Sequence, residues 1–274
     1  MEVTTNFMQD LSKFKLLLGS SNGIGRATAL LFAEEGAKVT ITGRSDEALQ
    51  ATKKGMQSVG AKDADILAIV GDLIDESIQK KIVEDTVSRF GGIDILVNNA
   101  GGTAPSNTVE QGFEQTMEAY DYVMNLNTRV VLTLTKLALP HLIASKGEVV
   151  MMPGFPYYGM SKAALDQLTK ALAARYIADG VRVNSVNPGI ISTTIMQKQG
   201  FPEDMTRKFE AAMASDQNMV PAGRVGVARE VAEAIAFLAD RRISSFIVGH
   251  SLVIDGGSSI MCPLFAPRAA EGFE

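Results

Sequence analysis

The feature that most constrains the fold of this chain is a regular alternation of short apolar runs with segments of helix length. The apolar runs, rich in Val, Ile and Leu, occupy 14–18, 38–42, 65–70, 93–97, 148–152, 181–186 and 251–254. Helical spacing of apolar residues fills most of the intervals, over 24–35, 46–59, 77–90, 117–142, 161–179 and 230–239. Apolar strands joined by helical crossovers are typical of a parallel sheet that is covered on both faces. The sequence therefore predicts the α/β class, with one doubly wound parallel sheet of about seven strands.

No linker, repeat or low-complexity tract interrupts this alternation, so we expect residues 1–274 to form a single domain. Two stretches, 102–112 and 190–223, carry no regular apolar pattern and are predicted to be irregular. Long loops in compact folds usually carry function, so the second stretch is predicted to be a substrate lid. Residues 261–274 follow the last predicted strand and are expected to form a C-terminal tail.

Composition argues against several classes of function. Acidic residues outnumber basic ones, 31 to 26, which argues against a surface that binds nucleic acid. The single cysteine, Cys262, excludes an internal disulfide and a Cys-based zinc site, and two histidines do not suggest a metal centre. No run approaches the roughly 18 uncharged apolar residues of a membrane span. We therefore expect a cytoplasmic protein without a nucleic-acid partner, a membrane span or a metal centre.

A glycine-rich loop follows the first predicted strand. It reads Gly19, Ser20, Ser21, Asn22, Gly23, Ile24 and Gly25. Glycines let a backbone turn tightly and approach a pyrophosphate at the N-terminus of the following helix. The spacing G-x-x-x-G-x-G differs from the commoner G-x-G-x-x-G, and an ordinary turn between strand and helix is the alternative. Its place at the first strand–helix junction favours a nucleotide-binding loop.

The end of the second predicted strand indicates which dinucleotide would bind. An NAD site usually has a carboxylate here, about 20 residues beyond the loop, to hold the ribose 2′-hydroxyl. This chain has Gly43, Arg44 and Ser45 instead. A guanidinium fork suits a 2′-phosphate, so NADP is the predicted cofactor. The alternative is a solvated arginine in a turn.

Further motifs follow along the chain in a fixed order. They are Asp72, Asn98-Asn99-Ala100-Gly101, Asn127, Tyr158-x-x-x-Lys162, Asn187-Pro188-Gly189 with Thr193, and Asp255-Gly256-Gly257. Together with the glycine-rich loop, this order resembles the short-chain dehydrogenase/reductase superfamily from about residue 13 to residue 257. The resemblance implies a Rossmann-like fold and hydride transfer between NADP(H) and a small carbonyl or alcohol substrate. It also implies a homodimer or homotetramer.

The resemblance assigns roles to individual residues. Cofactor contacts fall to Gly19, Ser21, Asn22, Gly23, Ile24, Gly25, Arg44, Asp72, Asn99, Lys162, Pro188, Gly189 and Thr193. Within this set Asp72 would contact the adenine, Asn99 the ribose, and Thr193 the nicotinamide amide. Asn127 would fix the backbone of Lys162 through a water molecule. The alternatives are a helix cap for Asp72 and an ordinary loop residue for Thr193.

Tyr158 and Lys162 also carry a physical argument for acid–base chemistry. Residues four apart lie on one face of a helix. A tyrosine hydroxyl has a pKa near 10, and a nearby ammonium lowers that pKa because it favours the phenolate. Tyr158 would then protonate a substrate carbonyl, and Lys162 would also hold the nicotinamide ribose. The alternative is a surface tyrosine lying over a lysine side chain.

The chain departs from the family pattern before Tyr158. The family places a serine roughly a dozen residues before this tyrosine, but residues 147–158 contain none and are about ten residues shorter than the pattern. Neither Ser145 nor Ser161 is a natural substitute. Leu18 also stands where the family usually has a threonine that braces the glycine turn. Two functions stay open: a working reductase, and a nucleotide-binding pseudoenzyme of the same fold.

Overall fold

The computed structural model describes residues 14–102, 116–151, 156–198 and 201–260, without the side chains of 14, 156–160 and 198. The main strands are β1 (Phe14–Leu17), β2 (Lys38–Gly43), β3 (Ile66–Val70), β4 (Ile95–Asn98), β5 (Glu148–Met151), β6 (Arg182–Pro188) and β9 (Ser251–Ile254). They form one seven-stranded parallel sheet in the order β3-β2-β1-β4-β5-β6-β9. Two short strands, β7 (Ile191–Ser192) and β8 (Gly226–Val227), pair separately. The predicted doubly wound, Rossmann-like sheet is confirmed.

Helices cover both faces of this sheet. They are α1 (Gly23–Glu34), α2 (Asp46–Ser58), α3 (Glu76–Phe90), α4 (Met117–Met124), α5 (Val130–Ser145), α6 (Pro156–Tyr176), α7 (Ile195–Lys198), α8 (Glu203–Ser215), α9 (Ala228–Ala239) and α10 (Arg241–Ser244). Short 3-10 turns lie at Asp63–Asp65 and Ser258–Ile260. A π-helical segment, Asn125–Arg129, joins α4 to α5.

The core has two layers, one on each side of the sheet. On one side α1, α2 and α9 bury residues such as Phe32 against the strands. On the other side α3, α5 and α6 bury Leu134 and Leu165. Successive residues of β1 belong to different layers, Leu17 to the first and Leu16 to the second, because side chains alternate along a strand. This explains why every residue of β4 and β5 is buried, rather than every second one.

The prediction that 190–223 is irregular is wrong. This stretch contains α7 and the thirteen-residue helix α8, of whose residues only Thr206 is buried. Apolar residues stand at helical spacing along α8, at Met205, Phe209, Ala212 and Met213, so a periodic signal was present in the sequence and was overlooked. Two acidic residues in the first turn, and ion pairs from Glu203 to Arg207 and from Asp204 to Lys208, are further signals of a helix.

The boundaries of two other predicted helices also change. The helix predicted over 161–179 begins earlier, at Pro156, so α6 carries both Tyr158 and Lys162. The helical pattern predicted over 117–142 is not one α-helix, because the π-helical segment interrupts it at Asn125–Arg129. Short π-helical insertions are frequent at functional sites.

Candidate active site

A cleft opens at the carboxyl ends of β1 to β4, where open parallel sheets bind their ligands. It is lined by Gly19, Ser21, Asn22, Gly43, Arg44, Gly71, Asp72, Leu73, Ala100, Gly101 and Leu126. The predicted cofactor residues Gly19, Ser21, Asn22, Arg44 and Asp72 are thus brought together in its wall. The sheet order places β1 between β2 and β4, so chain segments distant in sequence meet around this cleft.

The glycines of the loop are required by close contacts with the segment after β4. Gly19 has φ +73°, and a Cβ placed there would lie 2.8 Å from Cα of Ala100. A Cβ on Gly25 would overlap the carbonyl oxygen of Gly19 and lie 2.5 Å from Nδ2 of Asn99. Asn99 donates from Nδ2 to that same oxygen at 2.8 Å. Asn99 therefore holds the glycine-rich loop in place through this hydrogen bond. Its contact with a ribose stays a prediction.

The glycine-rich turn is held by hydroxyl groups of other residues, because the side chain of Leu18 has no hydroxyl. The Oγ of Ser20 donates to the carbonyl oxygen of Leu17 at 2.9 Å. The Oγ1 of Thr42, at the end of β2, accepts a hydrogen bond from the backbone N–H of Gly19 at 3.1 Å. Leu18 itself is fully buried in the apolar core. The loop therefore keeps its hydrogen bonds although the family's usual threonine is absent.

Arg44 occupies the outer end of the cleft. Its side chain is exposed, and Nη1 donates to the hydroxyl of Tyr122 on α4 at 3.5 Å. The preceding residue, Gly43, has no room for a side chain, because a Cβ there would overlap Oγ of Ser21. The guanidinium is therefore available to a ligand at the point where β2 ends and the glycine-rich loop passes.

Asp72 lines the cleft beside Arg44 rather than capping the next helix. Its Oδ1 accepts a hydrogen bond from the backbone N–H of Ile74 at 3.0 Å, which is a local turn. The N-cap of α3 is Asp75, whose side chain accepts from the N–H of Ser77 at 2.8 Å. The alternative of a helix cap for Asp72 is thus wrong, and its carboxylate stays in the cleft wall.

Asn127 is fully buried in the π-helical segment. Its Oδ1 accepts from the N–H of Gly102 at 2.9 Å, and its Nδ2 donates to the carbonyl oxygen of Gly102 at 2.9 Å. Nδ2 also lies 3.3 Å from Oγ of Ser161. Asn127 therefore fixes the backbone at the end of β4. The hydroxyl of Ser161 is buried in this network.

Lys162 lies beneath the same backbone segment, with only 1% of its surface exposed. A Cβ placed on Gly101 would lie 3.0 Å from Oδ1 of Asn127 and 3.3 Å from Nζ of Lys162. Burial lowers the pKa of the Lys162 ammonium to about 7, and the negative charge of Asp166 opposes this effect. Tyr158 lies one turn before Lys162 in α6, and its side chain is outside the described residues.

Pro188, Gly189 and Thr193 form the end of the site beyond β6. The backbone N–H of Gly189 donates to the carbonyl oxygen of Ile254 at 2.9 Å, which ties this segment to β9. A Cβ placed on Gly23 would lie 3.3 Å from the methyl carbon of Thr193. Thr193 therefore brings the start of the 190–223 segment against the glycine-rich loop, while its contact with a nicotinamide amide stays a prediction.

Sequence reasoning missed several residues of the cleft. They are Gly43, Gly71, Leu73, Ala100, Gly101 and Leu126, of which Ala100 and Gly101 belong to the Asn98–Gly101 motif but had no role assigned. The signal for Gly43 and Gly71 was available, because each directly follows or ends a strand beside the cleft, and a Cβ on Gly71 would lie 2.6 Å from the side chain of Ile78. The three apolar residues adjoin Asp72, Asn99 and Asn127 and carry no polar signal of their own.

The statements that follow on membrane-spanning helices and metal-binding groups concern the described residues alone. Within 14–102, 116–151, 156–198 and 201–260, no helix has the length and apolar character needed to cross a membrane. Over the same ranges, no group of three or more His, Cys, Asp or Glu side chains is placed to hold a metal ion. The single cysteine, Cys262, and the tail 261–274 lie outside the described residues.

A parallel sheet with a glycine-lined cleft at its carboxyl edge defines a nucleotide-binding protein of the doubly wound class. Residues 19–259 match the family model described as enoyl-(acyl carrier protein) reductase. The 3-oxoacyl-(acyl-carrier-protein) reductase of Thermotoga maritima is 35% identical over 255 residues, which are 89% of this chain and 97% of that protein. Glucose 1-dehydrogenase of Gluconobacter oxydans is 33% identical over 257 residues, 89% of this chain and 91% of that protein.

Two solved structures are also similar to this chain. A short-chain dehydrogenase/reductase of unknown function from Caenorhabditis elegans, solved with cofactor, is 41% identical with a TM-score of 0.90, covering 93% of this chain and 98% of that one. The apo glucose dehydrogenase of the same organism is 44% identical with a TM-score of 0.76, covering 91% and 98%. The chain belongs to the short-chain dehydrogenase/reductase family, whose members are oxidoreductases that bind a nicotinamide cofactor.

Proposed function

We propose that this chain transfers hydride between NADP(H) and a small carbonyl or alcohol substrate, with Tyr158 as the acid and base. The observation that carries the proposal is the placement of Lys162. Its buried amine adjoins Gly101 where β4 ends, beside the cleft, one helical turn from Tyr158. When bound, NADPH supplies the hydride. The chain's own residues must then hold the cofactor and supply the proton.

The cleft fits a dinucleotide phosphate on its own geometry. A Cβ on Gly19 would clash with Ala100, and a Cβ on Gly25 would clash with the carbonyl oxygen of Gly19, so only glycines allow the loop to turn this tightly at the start of α1. A helix N-terminus with glycines at this point suits a pyrophosphate. Arg44 is exposed at the end of β2, where a 2′-phosphate would lie. A charge-assisted pair of this kind contributes about 1.5–3 kcal/mol, or roughly a ten- to hundredfold preference for NADPH over NADH.

The proton would move through Tyr158. Lys162 lies one turn away on the same helix, and its ammonium would lower the pKa of the tyrosine hydroxyl by favouring the phenolate. In the direction of reduction, Tyr158 donates its proton to the carbonyl oxygen of the substrate. Asn127 contributes by fixing the backbone of Gly102. The neighbouring residue Gly101 lies next to both Asn127 and the amine of Lys162. The backbone that Asn127 fixes is therefore the backbone that Lys162 packs against.

The segment 190–223 is proposed to cover the substrate. Its helix α8 exposes Met205 and Phe209, and the turn after it exposes Met219. Exposed apolar side chains on a segment that covers a substrate favour a ligand with an apolar part. The proposed substrate class, a carbonyl compound or an alcohol, is taken from the names of the relatives. These include a 3-oxoacyl reductase and glucose dehydrogenases. The cytoplasmic location and the C-terminal tail at 261–274 stay predictions.

A pseudoenzyme is the second candidate, because residues 147–158 contain no serine. In the family scheme that hydroxyl holds the substrate oxygen beside the tyrosine. Removing one such donor typically costs about 10²–10³ in turnover, and misplacing the substrate by about 1 Å costs roughly another hundredfold. We therefore expect the chain to bind NADPH and to reduce simple ketones slowly.

The test measures binding and turnover on the same preparation. NADPH and NADH are titrated by cofactor fluorescence, and NADPH oxidation is followed with a panel of small ketones. A variant with a serine-bearing loop inserted after Met151 is expected to raise turnover without changing NADPH affinity. An unmodified chain that turns over in the usual enzyme range of about 1–10³ per second would refute the pseudoenzyme. A chain that binds neither cofactor would refute both candidates.

Tyr158→Phe tests the acid directly. The substitution keeps the ring and removes the hydroxyl, so we expect turnover to fall by about 10²–10⁴ with NADPH binding retained. Tyr157→Phe is the matched control, since the same atom is removed from the adjacent residue. Equal turnover in both variants would reassign the proton donor.

A further inference from the structure

A tyrosine that the proposed reaction does not use stands beside Arg44 at the outer end of the cleft. Tyr122 lies near the end of α4, and its hydroxyl accepts a hydrogen bond from Nη1 of Arg44 at 3.5 Å. This contact joins the end of β2 to a helix that lies 78 positions further along the chain. Leu126, four residues after Tyr122, lines the cleft. The face of α4 that carries Tyr122 is therefore directed toward the cleft.

The fold holds Tyr122 in this place. Helix α4 begins after the N-cap Thr116, whose Oγ1 accepts a hydrogen bond from the backbone N–H of Ala119 at 3.3 Å. Val123, the residue next to Tyr122, is only 1% exposed and anchors the end of the helix in the interior. Tyr122 itself is half-buried. Because a tyrosine side chain has only two torsions, a hydroxyl on such an anchored helix loses little conformational freedom when it binds a ligand.

The pair of side chains offers two kinds of hydrogen-bond donor to a ligand. A guanidinium has five N–H donors, and the contact with Tyr122 uses one of those of Arg44. The hydroxyl of Tyr122 accepts in this contact, so its own proton is directed elsewhere. At 3.5 Å the bond is long, and a ligand can compete with it. Two donors this close together suit neighbouring oxygens of one phosphate group.

A second donor matters here because a carboxylate lies in the same wall. Of the described residues that line the cleft, Arg44 alone has a basic side chain, and Asp72 has an acidic one. The attraction of Arg44 for a phosphate is therefore partly cancelled by the repulsion from Asp72. A hydroxyl adds a hydrogen bond to the phosphate without adding a charge to the wall. Tyr122 is placed to supply it.

We propose that Tyr122 is a specificity-determining residue, whose hydroxyl donates to the same 2′-phosphate of NADPH that Arg44 binds. This inference rests on the proposed function, because it requires NADP(H) in the cleft. NADH carries a hydroxyl in place of this phosphate. Tyr122 therefore acts on the preference between the two cofactors and not on dinucleotide binding in general.

The test compares NADPH and NADH titrations, followed by cofactor fluorescence, in the full chain and in Tyr122→Phe. The substitution keeps the ring on α4 and removes only the hydroxyl. We expect NADPH affinity to fall about tenfold, the lower end of what a hydrogen bond to a charged group contributes, with NADH affinity unchanged. Tyr120→Phe is the matched control. It removes the same atom two residues earlier, on a different face of α4, and should change neither titration.

A double variant separates a direct contact from an effect through Arg44. If Tyr122 donates to the phosphate itself, adding Tyr122→Phe to Arg44→Ala weakens NADPH binding further. A loss that disappears in the Arg44→Ala background would show that Tyr122 only orients the guanidinium, and would overturn the inference. Equal weakening of NADPH and NADH in Tyr122→Phe would show a merely structural role and would also overturn it.

The unmodified chain reports separately on the proposed function. A chain that prefers NADPH, combined with a Tyr122→Phe variant that keeps this preference in full, overturns the role of Tyr122 and leaves the proposed function standing. A chain that binds NADH as tightly as NADPH counts against the proposed cofactor. It overturns the present inference with it, because the cleft would then have no 2′-phosphate site to which Tyr122 could belong.

Discussion

Gly25→Ala puts the geometry of the cleft to a quantitative test. Gly25 lies in α1, where replacing glycine by alanine ordinarily stabilises a helix by about 1 kcal/mol. Here the new Cβ would overlap the carbonyl oxygen of Gly19 and lie 2.5 Å from Nδ2 of Asn99. Overpacking of this kind costs about 1–3 kcal/mol. We therefore expect a net loss of up to about 2 kcal/mol in the free energy of unfolding.

The loss of cofactor binding should exceed the loss of stability. The contact can relax only if the loop at Gly19 moves away from Asn99, and this loop is the proposed phosphate cradle. Losing one charge-assisted hydrogen bond to phosphate costs about 1.5–3 kcal/mol, so we expect NADPH affinity to fall roughly ten- to hundredfold. Fluorescence titration with NADPH and urea unfolding by circular dichroism measure the two quantities on the same variant.

Gly36→Ala is the matched control. Gly36 has φ +77°, and a Cβ there would meet nothing within 4 Å. The left-handed conformation costs an alanine roughly 1–2 kcal/mol, so this variant should lose stability without losing NADPH affinity. The reasoning is refuted if Gly25→Ala binds NADPH as well as the unmodified chain, or if Gly36→Ala weakens binding to the same extent.

The remaining predictions concern specificity, pH and assembly. Arg44→Ala should weaken NADPH binding about ten- to hundredfold and leave NADH unchanged, whereas Arg89→Ala, which removes a bond to a backbone carbonyl outside the cleft, should change neither titration. The pKa of Lys162 is lowered on folding from 10.5 to about 7, so the unfolded chain binds the extra proton between these values. Stability should therefore rise with pH across that window, and Lys162→Met should abolish this part of the slope in urea unfolding. Light scattering should show a homodimer or homotetramer at micromolar concentration, and a monomer would contradict the family-based expectation.

The sheet and the glycine-rich loop could be predicted because their signals are local. A continuous apolar run such as 95–97 can be buried on both faces only in a covered sheet. The position of the loop followed from its place between the first strand and the first helix. Helix α8 was missed although Met205, Phe209 and Met213 follow one another at helical spacing, because a stretch between two strands was interpreted as a long loop.

Contacts between distant residues could not be predicted from the sequence. The hydroxyls of Ser20 and Thr42 brace the glycine turn, but no sequence pattern relates positions that meet only when β2 pairs with β1. The hydrogen bonds from Ser185 and Ser251 to Asp166 are of the same kind, since they join α6 to two strands whose register is set by the whole sheet. Lys162 and Asn127 belong to sequence motifs, whereas Asp166 does not.

The strand order also sets when the nucleotide cleft can form during synthesis. β1 lies between β2 and β4, and the bond from Asn99 to Gly19 spans 80 positions of the chain. At about 5–20 residues per second, the ribosome adds Asn99 roughly 4–16 seconds after Gly19. Until then β1, β2 and β3 can pair, but one edge of β1 stays open to other strands. A nascent chain therefore cannot use its cofactor to stabilise the first half of the sheet, and during that interval it depends on protection of this edge.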